Sequence, residues 1–193
     1  PYDLLATICQ QFAVAAPQLA DPDMALNNLE RFLSAARSPM STTALFERDT
    51  QALPDLLQLF STSQFLSDLL VADGEAFDLL RMTGGLPVER DHLVAELLAE
   101  VRAVGDDAEV QAALRRAKRR ETLRIAFGDI VGTQVLLTVA RQISYLADAM
   151  LEAALDHALR RHAQKHGQPI GRDGQPAQFV VLALGKLGGM ELN

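Results

Sequence analysis

The sequence contains a single cysteine, Cys9, and no tryptophan. One cysteine excludes an internal disulfide framework and any zinc site built from cysteines alone, and it makes a reducing cytoplasm the expected compartment. No apolar run approaches the roughly 20 residues that a membrane-spanning helix needs. No charged start followed by an apolar block is visible either, so neither a secretory signal nor a membrane partner is expected.

Positive charge and aromatic side chains are also scarce. The chain has 18 Lys and Arg against 25 Asp and Glu, a formal net charge of −7, with only eight Phe and two Tyr. Proteins that coat nucleic acids usually carry a positive balance, so no nucleic-acid partner is expected. What is abundant is apolar: 49% of the 193 residues, enough for a sizeable core. The dominance of Leu and Ala favours helices packed on helices.

Residues 1–166 are predicted to form a helical domain. Asp21-Pro22 has the pattern of an N-cap followed by proline at the first helical position, and Ser61-Thr62-Ser63 also looks like a cap. Residues 83–87, Thr-Gly-Gly-Leu-Pro, predict a turn, and Asp106-Asp107 would cap a basic helix over about 108–127. The last helix keeps a three-four apolar rhythm through Ile143, Leu146, Ala147, Met150, Leu151, Ala154, Leu155 and Ala158. The expected fold class is therefore mainly α, a helical bundle.

The pattern changes in residues 167–193. A loop rich in glycine is followed by a continuous apolar run over 179–184, which predicts a buried strand. The strand would lead into Gly185-Lys186-Leu187-Gly188-Gly189 and then into a short helix beginning at Met190. A buried strand, glycines and a helix start can hold phosphate on backbone N–H groups, with Lys186 as a cation. A tight turn without a ligand is the alternative, since the P-loop spacing is missing.

Residues 180–193, Val-Val-Leu-Ala-Leu-Gly-Lys-Leu-Gly-Gly-Met-Glu-Leu-Asn, resemble the opening of the nucleotidyltransferase motif in the glutamine synthetase adenylyltransferase family. Members of that family both adenylylate glutamine synthetase and remove the adenylyl group. Residues 56–70 resemble the helical segment before the family's catalytic domain, and residues 119–130 resemble its Arg-rich helix. The resemblance covers roughly residues 50 to 193. The motif sequence Lys-Leu-Gly-Gly-x-Glu-Leu-Asn is closer to that of the family's N-terminal, adenylyl-removing half than to that of its C-terminal, adenylylating half.

The resemblance implies that residues 167–193 open a polymerase-β-like nucleotidyltransferase domain that is cut short. Gly188 and Gly189 match the glycine pair that packs against the nucleotide phosphates, and Gly185 and Lys186 belong to the same candidate site. The whole enzyme would use Mg²⁺ and a nucleotide, ATP or ADP, to regulate nitrogen assimilation. Its partners would be glutamine synthetase and the PII signalling protein.

The family's metal-binding Asp-x-Asp would follow Asn193, outside this chain. No catalytic residue is therefore assigned within it. The resemblance implies that this polypeptide alone is inactive and holds no cofactor firmly. The alternative function is a helical protein-interaction module without a catalytic role, and an Asp-x-Asp in the next ten codons of the gene would decide for the enzyme.

Several polar residues have a functional and a structural interpretation. Arg116, Arg120 and Arg124 form a stripe at four-residue spacing that would face the nucleotide site or an acidic partner. A solvated face with pairs to Glu121 and Asp129 is the favoured alternative. The pair His162 and His166 could be half of a metal site, but a solvated helix end is preferred, so no metal site is predicted. Cys9 is expected to be buried and inert.

Overall fold

The computed structural model describes residues 2–132 and 134–191, and within them the chain is mainly helical. A short 3₁₀ turn, Ala16–Gln18, follows the first helix. The helices are α1 (Tyr2–Ala15), α2 (Pro22–Ala35), α3 (Pro39–Arg48), α4 (Ala52–Thr62), α5 (Gln64–Ala72), α6 (Glu75–Thr83), α7 (Arg90–Arg102), α8 (Asp107–Ile130), α9 (Leu136–His166) and α10 (Gly185–Gly188). The prediction of a mainly α fold is confirmed for the described residues.

The predicted helix starts are confirmed at atomic detail. Asp21 accepts a hydrogen bond from the Met24 amide at 2.9 Å, with Pro22 at the first helical position of α2. Ser63 caps α5 in the same way. Asp106 accepts from the Glu109 amide at 2.8 Å and so caps α8. Each cap satisfies an amide that the first helical turn leaves without a backbone partner.

The helices belong to two compact units. The first consists of Pro1–Leu86 and Leu123–Gln134, and the second of Pro87–Thr122 and Val135–Asn193. The helix α8 therefore supplies residues to both. This division falls within the helical region, and the predicted domain boundary at residue 166 stays a prediction.

The core of the first unit is built around α4. Phe32 of α2 packs edge-on against Phe60 and Phe77, with ring centroids 5.7 and 6.4 Å apart. Such aromatic contacts add about 0.5–1.5 kcal/mol to the burial itself. The helix α4 is apolar on nearly every side, and its buried apolar residues are Ala52, Leu53, Leu56, Leu57, Leu59 and Phe60. A helix of that composition is stable only when neighbours cover it all round.

Two glycines bring the turn after α6 into direct backbone contact with α8 in this first unit. Gly85 has φ +63°, and a Cβ added to it would lie 2.4 Å from the Gly128 nitrogen. The side chain of Gln134 donates to the Gly85 carbonyl at 2.7 Å, and Arg124 donates to the Leu86 carbonyl at 2.6 Å. Only glycine fits both the backbone conformation and the close approach.

The second unit is held by α7 and α9. Their shared core contains small residues, Ala149 and Ala153, opposite larger ones on α7, so the two helices can approach closely. Gln142 forms two hydrogen bonds with the backbone of Val88, each 2.9 Å long, which tie α9 to the segment before α7. The core residues are Leu93, Leu97, Val101, Val110, Ala117, Ala149 and Ala153.

Ion pairs border that core. Arg90 reaches Asp148 at 2.9 Å and also contacts Glu152. Asp156 accepts from Arg102 at 2.6 Å and from Arg160 at 2.8 Å. The hydrogen bond from Arg102, with that from Arg160 and the positive charge of both, lowers the pKa of Asp156 below its usual value, against the opposing effect of burial.

The expectation that Cys9 is buried is wrong, because its side chain is exposed. Ile8 takes the buried position on α1 instead. Successive residues of a helix point about 100° apart, so Cys9 lies off the face that Ile8 and Phe12 present to the core. In the part of the chain that the structure describes, no helix combines the length and the apolar character needed to cross a bilayer.

We expect Gly85→Ala to lower the free energy of unfolding by about 3 kcal/mol, through its positive φ and the clash with Gly128. Gly84→Ala is the matched control, since Gly84 has φ +60° but no atom within 4 Å of an added Cβ. It should cost only about 1 kcal/mol. Because the chain has no tryptophan, urea unfolding followed by circular dichroism is the measurement. Equal losses would show that the close backbone contact contributes nothing.

We expect Asp156→Asn to destabilise the protein by about 1 kcal/mol at neutral pH, because a carboxylate held by two arginines is lost. A carboxyl whose pKa is depressed on folding stabilises the native state above its unfolded pKa. That stabilisation is lost as the pH falls from about 3.9 through the folded pKa. The difference between wild type and variant in urea unfolding should therefore shrink in acid. A difference independent of pH would contradict the assignment.

Candidate functional site

The segment that follows α9 begins at a glycine. Gly167, with φ +82°, ends the helix, and the next residues close into a small loop. The Gly171 amide donates to the Gln175 carbonyl at 2.7 Å, and the Ala177 amide donates to the Pro169 carbonyl at 2.9 Å. One antiparallel bridge, between Ile170 and Pro176, accompanies these bonds. The predicted loop is confirmed. These bonds bring residues 175–177, which lie just before the apolar run, next to residues 169–171.

The predicted strand over residues 179–184 does not form. No strand is present in residues 2–132 or 134–191, and the apolar side chains of the run are exposed, Leu182 to 83% and Leu184 to 88%. A strand exists only where a neighbour completes its ladder of hydrogen bonds, and the described residues offer none. The apolar pattern correctly marks a segment suited to burial, but it cannot supply the pairing partner.

The glycine turn, residues 185–189, folds back on itself over a single helical turn. Gly185–Gly188 form α10, and the Gly189 amide donates to the Gly185 carbonyl at 2.9 Å. A Cβ on Gly188 would lie 2.6 Å from the Ala183 carbonyl oxygen. The short helix thus starts at Gly185, and the expected helix start at Met190 is wrong. Met190 lies in a turn with φ 55°, while Leu192 and Asn193 fall outside the described residues.

These contacts decide how the turn could meet a phosphate. Gly189 uses its amide within the turn, and Gly188 needs to be glycine because the chain approaches it closely. Gly185 differs, since it has φ +65° and no atom within 4 Å of where its Cβ would be. The open approach is therefore at Gly185 and the neighbouring Lys186, which is also exposed. Phosphate binding by Gly185, Lys186, Gly188 and Gly189 stays a prediction.

The three arginines of the predicted stripe occupy different environments. Arg116 is exposed on α8. Arg120 donates to Glu96 at 2.9 Å, to Glu100 at 2.9 Å and to Glu121 at 3.1 Å. Arg124 is buried, where it donates to the Leu86 carbonyl. Arg124 belongs to the first unit, whereas Arg116 and Arg120 belong to the second.

The surroundings of Arg120 include two carboxylates that were not predicted from sequence. Glu96 and Glu100 stand one turn apart on α7, and this acidic pair at helical spacing is the sequence signal that points to them. Burial lowers the pKa of Arg120, but the hydrogen bonds to Glu100 and Glu121 outweigh it and raise the pKa overall. The expected pair with Glu121 is present, whereas Asp129 forms no ion pair among the described residues.

A metal site is not evident in the part of the chain that the structure describes, where no three His, Cys, Asp or Glu side chains come together. His162 and His166 stack with ring centroids 5.9 Å apart at the exposed end of α9. These residues do not fit a Mg²⁺ site, which needs several oxygen ligands. No reaction step through a metal is derived from them.

Comparison with known proteins places these features in context. A sequence model of the family described as glutamate-ammonia ligase adenylyltransferase matches residues 53–193. Similar proteins include the bifunctional glutamine synthetase adenylyltransferase/adenylyl-removing enzymes of three bacteria. That of Pseudomonas aeruginosa is 32% identical over 93% of this chain and 19% of its own length. The enzyme of Idiomarina loihiensis is 36% identical over 85% of this chain and 18% of its own length. The enzyme of Pseudomonas putida is 38% identical over 70% of this chain and 14% of its own length.

This chain therefore spans about a fifth or less of the length of the curated relatives it matches. No solved structure matches it. The matched region begins within α4 and runs through the glycine turn, so it includes both upstream segments in which the sequence shows a resemblance.

We expect Arg120→Ala to lower the free energy of unfolding by about 2 kcal/mol, because the buried Glu121, and Glu96 and Glu100 beside it, would each lose a hydrogen bond from a charged donor. Arg116→Ala, one turn earlier on the same helix, should change it by no more than about 0.5 kcal/mol. Urea unfolding of both variants measures the contrast. If the two substitutions have equal effects, Arg120 does not stabilise the second unit.

Proposed function

The chain belongs to the glutamate-ammonia ligase adenylyltransferase family, and on that basis we propose that it is part of an enzyme that attaches adenylyl groups to glutamine synthetase and removes them. The match over residues 53–193 carries this proposal. The geometry of the glycine turn is weaker support, because a tight turn that binds no ligand would need the same glycines.

Within that enzyme we assign the chain to the adenylyl-removing half. The support is the sequence of residues 186–193, Lys-Leu-Gly-Gly-Met-Glu-Leu-Asn, which resembles the motif of that half. In that reaction an oxygen of inorganic phosphate forms a bond to the adenylyl phosphorus while the bond to the tyrosine oxygen breaks. The products are ADP and the free tyrosine hydroxyl, which gains a proton. Such an in-line displacement depends on positioning and charge neutralisation and needs no protein nucleophile.

The candidate site residues then have distinct roles. Gly188 and Gly189 shape the turn, so that the first residues of α10 are held in a defined position. Gly185 leaves the approach open, and Lys186 places a positive charge beside it. Mg²⁺, when bound, would neutralise charge on the phosphates. Its ligands are not assigned in this chain, since the resemblance places the Asp-x-Asp after Asn193.

The helices upstream suit a second role. Most of the matched residues lie in α4–α9, whose side chains build two cores, and the described residues contain no cluster of three His, Cys, Asp or Glu side chains that could hold a metal ion. The helical region would then position the catalytic domain and contact glutamine synthetase or the PII protein. An interaction module without catalysis is the competing function. An active full-length enzyme that depends on the glycine turn would decide against it.

The test uses the full-length protein with adenylylated glutamine synthetase, phosphate and Mg²⁺, and measures ADP. We expect Gly188→Val to reduce ADP release by about 100-fold, because displacing a positioning element by 1 Å costs rates of that order. Gly174→Ala is the control, a glycine of the preceding loop with open space around it. The polypeptide of residues 1–193 alone should release no ADP.

A full-length protein that neither removes nor attaches adenylyl groups would show that the proposed function is wrong. An active protein in which Gly188→Val matches the control would exclude the turn from the site. ADP release by residues 1–193 alone would contradict the expectation that this part is inactive.

A further inference from the structure

One face of α8 carries four basic side chains that the fold does not use. Arg115, Arg116, Lys118 and Arg119 are all exposed, and none of them forms an ion pair with a carboxylate of the described residues. At about 100° per residue they fall within an arc of about 160° on the helix. We call these four residues the basic face.

The basic face contrasts with three arginines that border the core of the second unit. Arg90, Arg102 and Arg120 are each held by two or more hydrogen bonds to carboxylates. The side of α8 turned away from the basic face contains Ala113 and Ala117, which are buried. Among the described residues, these three arginines are paired with carboxylates beside the core, whereas the four cations of the basic face, on the exposed side of α8, are not.

This arrangement does not stabilise the helix. Arg115 and Arg119 are four residues apart, and Arg115 and Lys118 three apart, spacings at which like charges repel and lower helix stability. The surrounding chain is negative overall, with a net charge of −7. Four cations concentrated on one surface of an acidic protein give a local field suited to recognising negative charge.

We propose that the basic face docks an acidic surface of the protein substrate. The inference rests on the proposed function for the identity of that substrate, glutamine synthetase, but not for the chemistry of the contact. A nucleic acid is less well matched, because residues 108–122 contain no aromatic side chain for stacking on bases.

The contact would act on association. Exposed charges at the edge of an interface mainly change the association rate and its salt dependence. The basic face is therefore a positioning surface, and its loss should raise KM for glutamine synthetase while kcat stays constant. The effect should decline at high ionic strength, since salt screens charges separated by more than about 10 Å at 0.1 M.

The experiment compares full-length wild type with Arg115→Glu/Arg119→Glu in the assay for adenylyl removal. We expect KM for glutamine synthetase to rise about tenfold at low salt, with kcat unchanged. Arg141→Glu is the matched control, because Arg141 is an exposed arginine of the same unit with no ion pair in the described residues. Its KM should equal that of wild type. Arg115→Gln/Arg119→Gln, which adds no negative charge, should give an intermediate KM.

An unchanged KM in the doubly substituted enzyme would overturn the proposal, provided that circular dichroism shows the variant folded. A wild type that does not act on glutamine synthetase would instead refute the proposed function. The inference is then tested by binding of fluorescent poly-L-glutamate to the full-length proteins. Weaker binding by the Glu double variant than by Arg141→Glu supports the basic face, and equal binding overturns it. Tighter binding of single-stranded RNA than of poly-L-glutamate, lost in the same variant, would overturn it in favour of a nucleic acid.

Discussion

The backbone contact between Gly85 and Gly128 packs the C-terminal end of α8 against the turn after α6. Because a chain passes within 2.4 Å of where a Cβ of Gly85 would be, this end of α8 is covered by the turn after α6. Arg124 takes part in the same contact, where its guanidinium donates a hydrogen bond to the Leu86 carbonyl. A hydrogen bond to a charged group contributes about 1.5–3 kcal/mol, so the buried Arg124 stabilises the fold.

The two halves of α8 therefore have different patterns of burial. Up to Thr122 one stripe is buried, and the opposite side is the basic face. From Leu123 onward neighbouring positions are buried in succession, as expected where a helix is covered on several sides. The arginine stripe at four-residue spacing crosses this change. Arg116 is exposed to solvent, Arg120 is partly buried among three carboxylates, and Arg124 is buried.

Features that depend on a few adjacent residues were predictable from sequence. Asp21 and Asp106 cap helices as expected, and the two glycines of residues 83–87 form the turn that their positive φ values require. Features that depend on distant residues were not. Nothing near Arg120 in sequence identifies Glu96 as its partner, and the exposure of Cys9 depends on which side of α1 the rest of the unit covers. Helical periodicity gives a face, but only packing decides what covers it.

The glycine turn shows the same limit in the candidate site. Gly188 would have to be glycine with or without a ligand, because the Ala183 carbonyl leaves no space for a Cβ. The Gly189 amide is likewise satisfied within the turn. Gly185 is the more informative residue, since the space around it is open and only its positive φ constrains it. A glycine pair next to an apolar run is thus compatible with phosphate binding and with a turn alone. The family match, which extends over α4–α9 as well, is what favours the enzyme.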